Sequence, residues 1–258
     1  MTPCDRALER FLELTNTSLE AHVSDRAVTL HCLSAHAPEF FEAHHLGPKL
    51  DAALEGLAAL PSTFPADLPW EVVMARLDAH YFRALYGLEN PPLPSADVRA
   101  AVAKVTEQSV LAGWLLAELA GALGVEFEIP DPSALTGMER TYWRTHQILL
   151  WTSYLRDPLE TEGADVALNE LARSLPLRLA CGEIDPAAEI IFCLQAGGRV
   201  VEPEFLERLV AHQQADGRFT ESDSDDAREQ AHCTAVCLIA LAGRRSGEAG
   251  AAERLAQQ

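Results

Sequence analysis

Helical periodicity, with regular helix breakers, constrains this chain more than any other feature. Apolar residues recur at helical spacing, and no run shows the apolar–polar alternation of a half-buried strand. Runs rich in Pro, Gly, Asp and Ser, such as "ENPPLPSAD" and "AGGRVVEPEF", separate the periodic stretches. The pattern predicts helices over residues 3–22, 24–36, 48–60, 69–87, 95–123, 133–155, 163–180, 184–197, 202–214 and 227–244. Short loops between so many helices predict an all-α fold of helix pairs packed side by side.

The net charge excludes two classes of partner. The chain has 39 acidic and 20 basic residues, a formal net charge of −19 and an isoelectric point near 4.8. Such a surface repels the phosphates of nucleic acids and of anionic membranes, so neither is an expected partner. With 258 residues, 48% of them hydrophobic, the chain can bury a large core.

Two features bear on cellular location. The opening residues, MTPCDRALERFLEL, lack the basic and apolar regions of a secretory signal, and no apolar stretch reaches the roughly 18 residues of a membrane span. A cytoplasmic location is therefore expected, in which the six cysteines stay reduced. Their spacings match no common zinc motif, so most are expected to pack in the core.

Two C-terminal segments share the order helix, polar turn, small-residue-rich apolar helix. They span 163–197 and 202–243, and the pair 95–123 with 133–155 is a less similar third copy. In the second segment, "FLERLVAHQQADGRF" followed by "TAVCLIAL" resembles the repeat of the α/α-toroid superfamily, which includes terpenoid cyclases, protein prenyltransferases and thioester-type complement domains. The matching residues are Leu209, Gln213 or Gln214, Asp216, Gly217, Phe219, Thr234, Ala235, Leu238 and Leu241.

The resemblance implies an α/α toroid or an incomplete ring of helix pairs around a central cavity. We expect a single helical domain over residues 1–258, in which residues 1–95 can form an N-terminal helical subdomain before toroid-like repeats 96–258. Within the repeat, the glycine is expected to form the turn and the aromatic residue to pack beneath it.

The acidic run Asp223–Asp226 has the Asp-x-Asp-Asp spacing of the acid in proton-initiated terpene cyclases. In those cyclases the acid directly precedes the Thr-Ala that opens an inner helix. Here Ala231-His232-Cys233 precedes Thr234-Ala235, and the acidic run lies seven residues too early. The resemblance therefore places His232 at the position of the cyclase acid and disfavours the acidic run. Protein prenyltransferases also carry a zinc-ligand histidine near this helix start, but their Asp-x-Cys zinc ligands have no match here.

Three predicted apolar helices each carry one chemically active residue: His146, Glu189 and His232. Glu189 lies one turn inside its helix, where an unpaired carboxylate is costly, so it needs a partner. If the three helices line one cavity, the three side chains converge. Two imidazoles and a carboxylate form a ligand set for a divalent metal ion such as zinc, iron or copper.

The same residues also suit acid–base chemistry without a metal. A carboxylate such as Glu189 can orient the His232 ring, and Cys233 is a candidate nucleophile. Asp185 precedes Pro186 and is predicted to cap its helix. Four further histidines, in the N-terminal part of the chain, are predicted to be incidental surface residues: His31, His36, His44 and His45.

The leading prediction is a metal-dependent enzyme whose central cavity binds a small or lipid-like substrate, with His146, Glu189 and His232 at its floor. A tailoring step in specialised metabolism is one setting for such an enzyme. The first alternative is a terpene-cyclase-like or prenyl-handling enzyme without metal, in which His232 or the run Asp223–Asp226 is the acid.

The second alternative is a non-catalytic helical scaffold for a protein partner. It predicts that Glu189 pairs with Arg140 or Arg144 and that the histidines lie apart.

Overall fold

The computed structural model describes residues 1–127, 135, 137–221 and 226–256, with side chains up to residue 243. These residues form twelve α-helices and no strand, which confirms the predicted all-α class. The helices are α1 (Pro3–Leu14), α2 (Glu20–His36), α3 (Pro38–Ala43), α4 (Gly47–Ala58), α5 (Trp70–Leu85), α6 (Ser95–Gln108), α7 (Val110–Ala122), α8 (Gly137–Trp151), α9 (Ala164–Cys181), α10 (Ile184–Ala196), α11 (Pro203–Ala211) and α12 (Ala227–Ala256). Within the same residues, no helix combines the length and apolar character needed to cross a membrane.

The predicted helix 3–22 is wrong in its second half. Helix α1 ends at Leu14, and α2 begins only at Glu20. The intervening run Thr15–Ser18 consists of residues that favour turns, and the Thr15 hydroxyl donates a hydrogen bond of 2.8 Å to the Phe11 carbonyl.

The predicted helix 95–123 is also wrong, because it is two helices. Ser109 ends α6 in an extended conformation, and its hydroxyl accepts a hydrogen bond of 3.2 Å from the Ala112 N–H at the start of α7. The two helices then pack closely at Gly113, where a Cβ would overlap the Thr106 side chain. Only glycine fits this contact.

Six helices contact one another in a cycle. Helix α2 packs against α5, α5 against α7, α7 against α8, α8 against α10, α10 against α12, and α12 against α2. Of the other helices, α1 packs on α12, α4 on α2, α6 on α7 and α9 on α10. One apolar core runs from Cys4 in α1 to Ala242 in α12, so the first and last helices share it.

The segment that resembles the toroid repeat forms a tight turn between α11 and α12. Gly217 has a φ of 94°, and a Cβ there would lie 2.5 Å from the carbonyl oxygen of Arg6. Phe219 is fully buried, and its backbone N–H donates a hydrogen bond of 3.0 Å to Thr234 Oγ1. Gly217 and Phe219 thus occupy the positions expected of the turn glycine and the packed aromatic residue.

The N-terminal histidines are mostly structural, so the surface prediction is wrong for three of the four. His31 is buried, with 2.7 Å between its Nδ1 and the Tyr86 hydroxyl. His36 and His44 are half-buried and hydrogen-bonded, and His45 is exposed. Helices α3, α4, α5 and α12 all pack against α2, which carries His31 and His36, while His44 packs on the Phe40 ring and contacts Asp5 of α1.

A left-handed turn follows α8. Ser153, Tyr154 and Leu155 have φ values of 48°, 58° and 69°, a conformation that costs non-glycine residues roughly 1 kcal/mol or more each. The Tyr154 hydroxyl donates a hydrogen bond of 2.8 Å to Asp78 Oδ1, and the Ser153 carbonyl accepts one of 3.1 Å from His31 Nε2. Buried contacts to α2 and α5 therefore hold the strained turn in place.

The carboxylate that anchors this turn makes the stability of the fold depend on pH. Asp78 is buried in α5 and accepts hydrogen bonds from the Ser24 hydroxyl, at 2.6 Å, and from Tyr154. Burial raises the pKa of Asp78 from 3.8 to about 6, although both hydrogen bonds oppose the shift. The folded state therefore binds a proton more tightly than the unfolded state, and this group destabilises the fold increasingly as the pH rises from 3.8 to about 6.

When the pH falls from roughly 7.5 to 5, the free energy of unfolding of the wild type is expected to rise by about 1.4 kcal/mol relative to that of Asp78→Asn. The lower pH is about one unit below the folded-state pKa and above the unfolded-state value, so the folded wild type takes up the proton. Urea unfolding of both proteins at both pH values measures the difference. A difference that stays constant would show that Asp78 remains ionised at the lower pH.

Candidate metal and acid–base site

Four helices bring titratable side chains to one point. Helix α10 contributes Asp185 and Glu189, α12 contributes His232, α2 contributes Asp25 and α8 contributes His146. Helices α8, α10 and α12 are neighbours in the helix cycle, and α12 also contacts α2. Glu189 therefore lies near both predicted histidines, 3.8 Å from His146 and 3.9 Å from His232.

Asp185, Glu189 and His232 have the spacing of metal ligands. One ligand atom from each lies within 4.8 Å of the others. His232 Nε2 is 3.6 Å from Asp185 Oδ1 and 3.9 Å from Glu189 Oε1. Two ligands of a tetrahedral zinc ion are roughly 3.4 Å apart, so small side-chain movements would complete the site.

The structure changes the expected ligand set. Asp185 lies inside the first turn of α10, whose N-cap is Glu183, so the predicted capping role of Asp185 is wrong. Its side chain instead faces His232 in the cluster. Among the described residues, His146 is not part of the group of mutually close ligand atoms. Its Nδ1 is 3.8 Å from Glu189 Oε2 and donates a hydrogen bond of 2.9 Å to the Tyr142 carbonyl.

Asp185 has one satisfied and one unsatisfied oxygen. Its Oδ2 accepts a hydrogen bond of 2.5 Å from the Tyr142 hydroxyl. Its Oδ1 is buried and has no hydrogen-bond partner within the described part of the chain. Such an atom is costly, and this one faces His232 Nε2. A cation between them would remove the cost.

Glu189 is the most deeply buried member of the cluster, with 1% of its surface exposed. The Thr145 hydroxyl donates a hydrogen bond of 2.5 Å to its Oε2. Burial raises the pKa of Glu189, and the negative charge of Asp185 raises it further, while His232 opposes both. The predicted need for a partner is met by polar groups on α8 and α12.

His232 faces carboxylates through both ring nitrogens. Its Nδ1 is 3.7 Å from Asp25 Oδ1, and its Nε2 faces Asp185 and Glu189. Burial disfavours the charged ring, but these carboxylates outweigh that effect and raise the pKa of His232 to about 10. Because 44% of the side chain is exposed, solvent moderates both effects and small molecules can reach the ring.

His146 has the opposite electrostatic character. Burial lowers its pKa, and the nearby His232 lowers it further, although the Tyr142 carbonyl favours the charged form. A neutral ring whose Nδ1–H donates to this carbonyl keeps Nε2 as a proton acceptor. The position and lowered pKa of His146 thus suit a proton acceptor more than a member of the close ligand group.

Cys233, predicted as a catalytic residue, lies in the hydrophobic core with 1% of its surface exposed. A nucleophile must meet its substrate, so this position argues against a catalytic role for Cys233. Of the acidic run Asp223–Asp226, the first three residues lie outside the described part of the chain.

The salt bridge expected for a scaffold does not form. Arg140 and Arg144 contact Glu170, at 2.9 Å and 2.8 Å, rather than Glu189. That part of the scaffold alternative is wrong.

The sequence prediction missed Asp25 and the ligand position of Asp185. The spacing of Asp185 and Glu189, i and i+4 on one helix face, is a local signal that favours shared chemistry. For Asp25 no local signal exists, because the contact depends on how α2 packs against α12.

The fold and the site together define an all-helical protein with a buried carboxylate–imidazole cluster that is open to solvent at His232. Comparison of the chain with profiles of known protein families, with curated proteins and with solved structures found no match. Any function therefore rests on the chemistry of the cluster itself.

Proposed function

We propose that the chain is a metal-dependent enzyme in which Asp185, Glu189 and His232 hold a divalent zinc or iron ion. The observation that carries the proposal is the buried Oδ1 of Asp185. It lacks a hydrogen-bond partner in the described ranges and lies 3.6 Å from His232 Nε2, beside the Glu189 carboxylate. Two carboxylates and an imidazole are ligands that both metals accept.

The balance of charge supports a cation at this point. Three carboxylates, from Asp25, Asp185 and Glu189, surround the single imidazole of His232. Buried charges are tolerated only when they are compensated by opposite charge or by protonation. A divalent ion compensates two of these carboxylates at once and would displace the proton that the raised pKa keeps on His232 in the metal-free protein.

Each proposed ligand has a partner that orients it. Such contacts fix the direction of a ligand and typically change metal affinity by about 10- to 100-fold. The pairs are Asp25 with His232, Tyr142 with Asp185, and Thr145 with Glu189.

Three protein ligands leave a coordination position for water or substrate, as in catalytic zinc sites. A metal ion held by these residues would supply Lewis-acid activation of a bound oxygen. Burial keeps the His146 imidazole neutral, and the ring lies 3.8 Å from Glu189, so its unprotonated Nε2 is available as a proton acceptor. Tyr142 and Thr145 hold the two carboxylates in place through their hydroxyl groups.

The helix cycle supports the proposed α/α toroid and its cavity. If these helices form a closed ring, the cavity of a toroid would lie between their inner faces, with the cluster at its floor. Half-buried Tyr142, His146 and Leu149 follow one stripe of α8 near the cluster. This stripe, which combines an aromatic, an imidazole and an aliphatic side chain, suits a small or lipid-like substrate, as expected for a tailoring enzyme of specialised metabolism.

Cobalt binding tests the proposal. Metal-free wild type is expected to bind one equivalent of Co²⁺, with a visible spectrum that changes when azide occupies the open position. Asp25→Asn is expected to weaken binding by about 10- to 100-fold, because it releases the His232 ring. Asp165→Asn, an exposed acid on α9, is the matched control. A wild type without stoichiometric metal, or a spectrum unchanged by azide, contradicts a catalytic metal site.

A second candidate is acid–base catalysis without a metal, in the manner of a terpene-cyclase-like or prenyl-handling enzyme. It is favoured by one observation: burial moves the pKa values of Glu189 and His146 in opposite directions while their side chains lie 3.8 Å apart. Such a pair can serve as acid and base. This candidate predicts no metal in the purified protein and activity that is insensitive to chelators.

A further inference from the structure

A cleft between α8 and α9 collects four arginines in a strongly acidic chain. It has a volume of about 340 Å³ and lies along the first half of α8. Its charged lining consists of Arg140, Arg144, Arg173, Arg178 and Glu170. The whole chain has only 20 basic residues against 39 acidic ones, so this concentration of positive charge is not a general property of the surface.

The arginines of the cleft outnumber the carboxylates that pair with them. Arg173 is exposed and adds a fourth guanidinium to the three that are paired. Four cationic groups and two carboxylates leave a net charge of +2 (4 − 2). The pairs are Arg140 Nη2 with Glu170 at 2.9 Å, Arg144 Nε with Glu170 at 2.8 Å, and Arg178 Nη1 with Glu183 at 2.6 Å.

Arg178 provides the observation that indicates a ligand. Its Nε–H is buried and has no hydrogen-bond acceptor among the residues that the structure describes. The residue as a whole is 9% exposed and lines the cleft. A charged N–H without an acceptor is unfavourable, and a rotation of the side chain that turns this N–H toward the cleft would let an oxyanion there accept from it.

Two further features suit an anion. The Arg144 guanidinium lies over the Trp143 ring, 4.6 Å from its centroid, which restrains the side chain. Gly137, the first residue of the 15-residue helix α8, also lines the cleft. The N–H groups of a first helical turn and the positive end of the helix dipole favour negative charge there.

We propose that this cleft binds a phosphate group, either as the free ion or as part of a phosphomonoester. A phosphate group carries up to about two negative charges near neutral pH and at least three acceptor oxygens, which matches the net charge and the guanidinium forks. A carboxylate offers one charge and two oxygens. Arg144 and His146 lie on opposite sides of α8, so this site is separate from the metal cluster and does not depend on it.

Calorimetric titration of the metal-free full chain with inorganic phosphate, phenyl phosphate and acetate, at constant ionic strength, tests the proposal. One equivalent of a phosphate is expected to bind roughly tenfold more tightly than acetate. Tighter binding of phenyl phosphate would identify a phosphomonoester as the ligand, and equal binding would identify the phosphate group alone. If neither phosphate binds, or if acetate binds as tightly, the proposal is overturned.

Two variants move the affinity in opposite directions. Arg173→Gln removes an exposed cation and is expected to weaken phosphate binding roughly fivefold. Glu170→Gln removes the carboxylate that competes for two arginines and is expected to strengthen binding roughly fivefold, a gain that misfolding cannot produce. The control Arg199→Gln, an exposed arginine outside the cleft, should leave affinity unchanged. An equal loss in this control, or no gain in Glu170→Gln, overturns the proposal.

The buried Nε–H is tested by Arg178→Lys, which keeps the charge but removes the donor. Phosphate binding is expected to weaken roughly tenfold. Circular dichroism and urea unfolding of the same variant show whether the fold is intact. Unchanged affinity in a folded Arg178→Lys protein would overturn the assignment of this cleft.

Discussion

Metal-free Glu189→Gln protein is expected to be more stable than metal-free wild type by about 2 kcal/mol near neutral pH, and to bind zinc at least roughly a hundredfold more weakly. The two effects have one cause. Glu189 is 1% exposed, so the fold retains a carboxylate at a position where an uncharged residue would be more stable. A stability cost of this kind is typical of a functional site.

The sign of the stability effect follows from the pKa. Burial raises the pKa of Glu189 above its usual value of 4.5. Above pH 4.5 the unfolded state releases this proton freely, whereas the folded state must either keep the proton or bury the charge, and both lower its stability relative to the unfolded state. Stability is therefore lost as the pH rises through the folded-state pKa. Glutamine has no such cost, and its Oε1 can still accept the hydrogen bond from Thr145. The gain in Glu189→Gln should accordingly grow with pH.

Urea unfolding in the presence of a chelator, at about pH 6 and pH 8, measures the stability of both proteins, and calorimetry with zinc measures binding. Glu160→Gln, an exposed glutamate after α8, is the matched control and should change neither quantity. A Glu189→Gln protein that is less stable than wild type at both pH values would show that the carboxylate is structural. Unchanged zinc affinity would exclude Glu189 as a ligand.

The part of this site that the sequence predicts lies on single helices. Periodicity defines α8, α10 and α12, and the cost of a lone carboxylate in an apolar helix is enough to identify Glu189 from the sequence alone. Whether Asp185 caps α10 or lies in its first turn depends on a difference of two residues in where the helix starts, and local patterns are least informative at helix ends. The wrong prediction for Asp185 arises from that uncertainty in helix ends.

The remaining part depends on packing between helices that are distant in sequence. Asp25 meets His232 only because α2 packs against α12, and His31 is buried because four helices cover α2. The break at Ser109 is local, but a capping serine inside a continuous apolar pattern competes with helix propensity, and the pattern alone favours one long helix. The contacts of Asp25 and His31, in contrast, are long-range and have no local sequence signal.

Tyr154→Ala is expected to lower the free energy of unfolding by about 4 kcal/mol. The side chain is buried against Tyr81 and Phe82, and its hydroxyl donates to Asp78, so the truncation removes packing and a buried hydrogen bond together.

Ser153→Gly is expected to have the opposite effect at the same turn. It should raise stability by about 1 kcal/mol, because glycine adopts this left-handed conformation without strain. Urea unfolding measures both variants.

A double-mutant cycle separates the hydroxyl group from the ring. Tyr154→Phe is expected to cost about 2 kcal/mol in the wild type, because it leaves Asp78 Oδ1 without the donor that Tyr154 provides. In the Asp78→Asn background the same change should cost less than about 1 kcal/mol, since the buried acceptor no longer carries a charge. Equal costs in the two backgrounds would show that the bond to Asp78 does not hold the left-handed turn. In that case the packing of the Tyr154 ring would have to balance the strain of all three residues.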